Sequence, residues 1–339
     1  MTEANNRTIS FDLEENRLIE EVKKQEAKRV LIQLPNGLKS KGTYLSKLIE
    51  EQTGATVFIS SKPCYGGCDL PICAAKAVKA DLVVHYGHAP FITQKEISVI
   101  YLFAKAKLDL TQLLKKVQTF LGGSKRIGIG TTIQHLHALE DFTRSLENLG
   151  HEVMIPSEGK NTRLKGQIIG CDYSSLKHIS EKVDLFLIIG SFFHGLGAAL
   201  TLDKPVILAD PYSNSVSNME PHKRRILKQR YAIIEKAKNA KVFGLLLSTK
   251  TGQFNLNLAL TLRELLAKAG KTVIMLVDEE FVPEYLTNFT NIEVFVDMAC
   301  PRLATDDPSR FGKPILTPSE AGVVANKTNW NDLIARGFF

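Results

Sequence analysis

Short apolar runs that end in glycine or polar turns, each followed by a helical pattern, recur along almost the whole chain. This alternation restricts the fold more than any other feature. Arg29-Val-Leu-Ile-Gln33, Ala55-Thr-Val-Phe-Ile-Ser60 and Asp81-Leu-Val-Val84 read as strands, with an amphipathic helix over 39–52 and a short helix over 73–80. The pattern restarts at Arg126-Ile-Gly-Ile-Gly130, with a helix over 135–150, strands at 152–155, 184–189 and 204–210, and a glycine-rich turn over 190–197. It restarts again at 241–247, with a helix over 256–269 and strands at 271–276 and 292–296. Residues 1–16 read as a frayed lead-in. Parallel strands need long crossovers and are covered on both faces, so apolar runs alternating with helices predict an α/β fold of mostly parallel sheets. Aligning the three opening strands sets Leu31, Gly128 and Gly244 in register, 97 and 116 residues apart. That period is the size of a small domain, and 339 residues are too many for one core. The expected units are 1–105, 106–215 and 216–339.

Five cysteines punctuate this pattern. Cys64, Cys68 and Cys73 fall within thirteen residues, Ser61-Lys-Pro-Cys-Tyr-Gly-Gly-Cys-Asp-Leu-Pro-Ile-Cys73, directly after the second strand. Pro63 and Gly66-Gly67 end that strand and permit a tight turn. Cys171 and Cys300 lie far off in comparable places, so Cys64, Cys171 and Cys300 give one thiol per unit. The register is imperfect, because Cys300 aligns better with the turns holding His88 and His194. A thiol at the carboxyl end of a parallel strand points into the crevice where open α/β sheets bind ligands. Three such thiolates could hold an iron–sulfur cluster and leave one iron open. The local spacing C-x3-C-x4-C matches neither ferredoxin runs nor zinc CxxC pairs, and on spacing alone buried free cysteines are an equal reading.

Composition narrows the classes. No apolar run approaches the ~20 residues that span a bilayer, and the amino terminus lacks a signal-peptide core. A cytoplasmic location is expected, where cysteines tend to be catalytic or metal-binding. The formal charge of +7 suits an acidic partner. The basic runs Lys115-Lys116 and Lys223-Arg224-Arg225 have no interleaved aromatics, so direct nucleic-acid binding is not expected. Gly128-Ile-Gly130 lacks the third glycine of a dinucleotide loop, and no Walker-type loop is present.

The segments Pro63-Cys-Tyr-Gly-Gly-Cys-Asp69, Gly166-Gln-Ile-Ile-Gly-Cys-Asp-Tyr173 and Ala299-Cys-Pro-Arg-Leu-Ala-Thr-Asp-Asp307 resemble the three cysteine motifs of archaeal diphthamide-synthesis enzymes. The likeness to these 2-(3-amino-3-carboxypropyl)histidine synthases runs from about Arg29 to Pro318. It implies three similar Rossmann-like domains around a pseudo-threefold centre, a homodimer, and a [4Fe–4S] cluster held by one cysteine per domain. Carried over motif by motif, the ligands are Cys64, Cys171 and Cys300. Cys68 and Cys73 are then small residues of a turn and a first helical turn, although Cys68 too could swing into the site. The resemblance also implies that S-adenosylmethionine, reduced by one electron from the cluster, yields a 3-amino-3-carboxypropyl radical. This radical adds to C2 of a histidine in translation elongation factor 2, and a separate electron donor is required. The C-x3-C-x2-C motif of ordinary radical-SAM enzymes is absent.

His88, His194 and Gln253, on turns beside glycines, are candidate contacts for S-adenosylmethionine, and the fork of Arg302 could pair with its carboxylate. For each histidine a structural hydrogen bond is the equal alternative. Asp306-Asp307 reads as a cap or turn. No catalytic residue beyond the cluster ligands is expected. Two competing readings are a quinolinate synthase-like [4Fe–4S] dehydratase, whose motifs fit poorly, and a non-enzymatic iron–sulfur or zinc redox sensor. A three-thiolate site without a fourth protein ligand is a poor structural staple, which weighs against the sensor.

Overall fold

Three parallel sheets carry the chain, of which a computed structural model describes residues 10–306 and 308–338. The first sheet orders Thr56–Ile59, Arg29–Gln33, Leu82–Tyr86 and Ser98–Leu102, all parallel. The second orders Glu152–Met154, Arg126–Thr131, Leu185–Ile189 and Val206–Asp210, with Ser215–Asn218 antiparallel at the edge. The third orders Thr272–Asp278, Val242–Ser248, Val294–Asp297 and Ile315–Leu316, all parallel. Counted along the chain, each sheet runs second, first, third, fourth. Winding therefore reverses between the first and third strands, and that reversal is where open α/β sheets bind ligands beyond the carboxyl ends.

The central strands are apolar throughout because helices cover both faces: all five residues of Leu185–Ile189 and of Leu82–Tyr86 are buried. The helix Gly42–Thr53 buries Leu45 and Ile49, one turn apart on a single face. At Gly128 a Cβ would lie 2.6 Å from the Phe186 ring, so glycine lets that buried ring lie flat against the strand.

Several boundaries differ from the sequence reading. The helix expected over 39–52 begins at Gly42, because Asn36–Lys41 forms a tighter 3-10 turn first. The one expected over 135–150 is Leu139–Asn148, again behind a 3-10 turn. Phe11–Asp12, inside the supposed lead-in, pairs antiparallel with Lys105–Ala106, while residues 1–9 and Asp307 lie outside the described residues. The glycine-rich turn over 190–197 is mostly a helix, Phe192–Thr201. Its glycines mark close packing rather than a break, since a Cβ on Gly197 would sit 2.3 Å from the Tyr173 hydroxyl. The edge strand Ser98–Leu102 is short and carries no clear periodic signal, whereas the helix Thr111–Leu121 buries Leu113, Val117 and Leu121 at four-residue spacing, a pattern absent from the sequence reading above.

The tail forms the helices Pro318–Val324 and Trp330–Arg336. The Phe338 N–H donates to the Leu200 carbonyl at 3.3 Å, and Lys177 Nζ donates to the Arg336 carbonyl at 2.8 Å, so the tail packs on helices of the second sheet. A buried ion pair locks it to the long helix Glu220–Lys238. Arg230 Nε donates to Glu320 Oε1 at 2.7 Å, Nη2 pairs with Glu320 Oε2, and further bonds reach the carbonyls of Ala304 and Ile315.

Candidate functional site

All the candidate residues lie beyond the carboxyl ends of the parallel strands. Cys64 and Cys68 follow the second strand of the first sheet, and Cys171 follows the second strand of the second. Cys300 follows the third strand of its sheet, the counterpart of the strands that lead to His88 and His194. Where the third sheet would carry a matching thiol, after Thr272–Asp278, it has Glu279 and Glu280 instead.

Those acids grip the cysteine loop. Lys62 pairs with Glu279, and the Tyr65 hydroxyl donates to Glu280 Oε1 at 2.9 Å. Behind Tyr65, buried Lys250 places Nζ 3.0 Å from Asp69 Oδ2 and 4.9 Å from the Tyr65 ring centroid. Asp69 is pushed up from the usual carboxylate range by burial, with Lys250 opposing the shift. The Gly252 N–H donates to the Cys68 carbonyl at 2.9 Å, and a Cβ on Gly252 would meet Cys68 Cα at 2.6 Å. Only glycine allows this approach of two backbones. Gln253 Nε2 then reaches Cys68 Sγ at 3.6 Å.

This docking separates the sulfurs of the loop. Burial raises all four thiols of the region, and nearby sulfurs add to the shift at three of them. Cys171 is pushed up to about 12, by burial first and then by Cys68. Cys300 is raised by burial and also by Asp297, Cys171 and Cys68. Cys64 is pushed up to about 12, by burial first and then by Asp69, with Cys68 adding less. Of the two sulfurs in this loop, Cys68 is the one that adds to the shifts of both Cys171 and Cys300, whereas the resemblance carries Cys64 over as the ligand. Cys73 is exposed on the helix Ile72–Ala77.

Cys64 turns the other way, into a chain of buried polar side chains. Its sulfur lies 3.9 Å from His88 Nδ1, which lies 3.0 Å from His85 Nε2, while His85 Nδ1 is 2.7 Å from Gln33 Oε1. Gln33 donates its amide to the Asp69 carbonyl at 2.6 Å, which fixes Oε1 as the acceptor facing His85. Burial holds His88 down to about 4. His88 thus faces a thiol and an imidazole of its own sheet.

Two other expected contacts are engaged within the fold. His194 closes a capping box with Ser191 at the start of Phe192–Thr201, its Nδ1 3.0 Å from Ser191 Oγ, and burial lowers it to about 3. Arg302 directs Nη1 to the carbonyls of Gly170 and Phe193 at 3.0 and 2.9 Å, and Nε and Nη2 to Asp306. Its guanidinium lies 4.6 Å above the Phe193 ring. The guanidinium thus ties the Cys300 helix to the residue before Cys171. Asp297 was not anticipated. It is buried, accepts from the Ala299 N–H through Oδ1, and has no hydrogen-bond partner at Oδ2 among the described residues. Lys250, Asp69 and Gln33 also escaped notice, since nothing in the pattern separates them from surface polar residues.

The sequence model of the diphthamide synthesis protein family matches residues 34–334. The chain belongs to this family. The 2-(3-amino-3-carboxypropyl)histidine synthase of Pyrococcus horikoshii is 35% identical over 92% of this chain and 90% of its own length. Subunit 1 of the corresponding synthase of Saccharomyces cerevisiae is 31% identical over 94% of this chain and 76% of its own. The crystal structure of Dph2 from Pyrococcus horikoshii with a 4Fe-4S cluster superposes with a TM-score of 0.86 at 34% identity, covering 94% of this chain and 92% of that one. Diphthamide-family membership sets aside the quinolinate synthase-like reading.

Proposed function

We propose that the chain is a 2-(3-amino-3-carboxypropyl)histidine synthase catalysing the first step of diphthamide biosynthesis. It cleaves S-adenosylmethionine to a 3-amino-3-carboxypropyl radical and transfers that group to C2 of a histidine of translation elongation factor 2. The observation that carries this reading is that thiols of three different sheets meet: Cys68 adds to the burial that raises Cys171, and both add to the burial that raises Cys300. Buried thiols that raise one another stay protonated unless a cation compensates them, and soft thiolates favour iron–sulfur clusters. The donor set fits a [4Fe–4S] cluster on Cys68, Cys171 and Cys300, with one iron free of protein ligands. When bound, the cluster supplies the electron that opens a carbon–sulfur bond of S-adenosylmethionine.

The protein's own part is positioning. Lys250 and Asp69 fix the loop that carries Cys68, and Arg302 fixes Cys300 against Cys171. In this proposal the Gln253 amide donates towards Cys68 Sγ and lines the S-adenosylmethionine pocket, with the neutral imidazole of His194 behind it. Elongation factor 2, an electron donor and a second copy of the chain complete the assembly. The reading places this work in the cytoplasm; no helix among the described residues is long and apolar enough to cross a membrane.

The test is an anaerobic incubation of the reconstituted, dithionite-reduced protein with S-adenosylmethionine and elongation factor 2. Transfer of the 3-amino-3-carboxypropyl group to a histidine is the expected result. Release of 5′-deoxyadenosine, or an untouched cofactor beside a full, reduced cluster, would overturn the proposal.

A further inference from the structure

Beside the three-thiol junction, Cys64, His85 and His88 each present a ligand atom, and the three atoms lie within 4.8 Å of one another. We infer that these residues form a second, mononuclear site for a borderline-soft divalent cation, Zn2+ or one like it, distinct from the cluster. The inference rests on the assignment of Cys68 rather than Cys64 to the cluster.

Geometry carries the argument. Ligands at tetrahedral zinc, with Zn–N near 2.0–2.1 Å and Zn–S near 2.3 Å, stand roughly 3.3–3.6 Å apart. The sulfur-to-imidazole distance of 3.9 Å and the imidazole-to-imidazole distance of 3.0 Å straddle that spacing. Each group also has an orienting partner. Because Gln33 Oε1 must accept, His85 carries its proton on Nδ1 and turns the lone pair of Nε2 towards His88 and Cys64. This outer hydrogen bond to an amide oxygen is the arrangement that orients metal-binding histidines. The Gly66 backbone N–H donates to the Cys64 sulfur and offsets part of the burial that pushes this thiol up to about 12; a bound cation would supply the rest of the compensation a thiolate needs. Cys64 is 6% exposed and His85 fully buried, so water competes little for the donors.

One thiolate with two imidazoles suits zinc and leaves one tetrahedral position for water or substrate. A cation there would bind the cysteine loop to the strand Leu82–Tyr86 and the turn after it, with Gln33 of Arg29–Gln33 braced behind His85. The sulfur four residues before Cys68 would thus be anchored in its own sheet, while Cys68 is held by the turn at Gly252 and Gln253.

The experiment titrates the anaerobically reconstituted, cluster-loaded protein with Co2+ and follows thiolate-to-cobalt charge-transfer absorption, with Zn2+ as competitor. The wild type should take up a single equivalent that Zn2+ displaces. Cys64→Ser and His88→Gln should lose the band while keeping full iron and sulfide, which also establishes that they fold. Gln33→Ala, which removes only the partner of His85, should weaken cobalt binding about 10–100-fold. No uptake by the wild type, or an unchanged band in Cys64→Ser, would overturn the site. Loss of iron and sulfide in Cys64→Ser would overturn the Cys68 assignment, and the second site with it.

Discussion

Lys250 and Asp69 form a charge pair whose side chains are both buried, at the contact between the cysteine loop and the turn after Val242–Ser248. Removing one member of such a pair leaves an uncompensated buried charge and typically costs about 3–5 kcal/mol. Lys250→Met is therefore expected to lower the urea midpoint and to release the loop, which iron content after reconstitution would register. Gly252→Ala tests the same contact sterically. Its Cβ would meet the Cys68 backbone, which cannot rotate aside, so cluster loading should fall more than global stability. A third residue reports through pH. Burial holds His135 down to about 4, against 6.5 for an ordinary histidine, so the unfolded chain binds more protons between those values. Stability from this group is full above about 6.5 and is lost as pH falls towards 4, by up to roughly 3 kcal/mol. His135→Gln should flatten the stability-against-pH slope over that window, and unfolding curves at several pH values would measure it. At this scale the sequence was only partly legible. Cys171 and Cys300 stand alone in their motifs, whereas two sulfurs four apart around Gly66-Gly67 are chemically alike. What sets Cys68 apart is its backbone contact with Gly252, which is remote in sequence.

At the scale of elements, glycine and histidine hide a helix. Gly190, Gly195 and Gly197 suggest a turn, yet Ser191 and His194 cap the helix Phe192–Thr201, with His in the place usually held by Glu or Gln. Ser191→Ala is expected to cost about 1 kcal/mol, and because Arg302 anchors on the Phe193 carbonyl, it should also loosen the Cys300 segment. The central strands were readable from their unbroken apolar runs, and their helices from amphipathic spacing. Edge strands such as Ser98–Leu102, half-buried and short, carry no such signal. The tail has little periodicity of its own, and tertiary contacts secure it: apolar packing of Val323, Leu333 and Phe338 and the buried Arg230–Glu320 pair. Glu320→Gln would leave Arg230 buried beside a weaker partner, so a loss of several kcal/mol is expected, with the tail helices losing hydrogen-exchange protection first.

At the scale of the whole molecule, the shared strand order explains the imperfect register of the cysteines. Cys68 and Cys171 follow second strands, whereas Cys300 follows a third, so no single repeat length can align all three. The offset was visible in the sequence as the match of Cys300 to the His88 and His194 turns. Its meaning was not, because it depends on how the carboxyl ends of three sheets face one another. The account's central claim is that one sulfur from each sheet, Cys68, Cys171 and Cys300, holds the cluster. The most direct test is iron and sulfide content after anaerobic reconstitution of alanine variants at each of the five cysteines. The account predicts loss of the cluster in Cys68→Ala, Cys171→Ala and Cys300→Ala, and full content in Cys64→Ala and Cys73→Ala. A full cluster in Cys68→Ala beside an empty Cys64→Ala would contradict it.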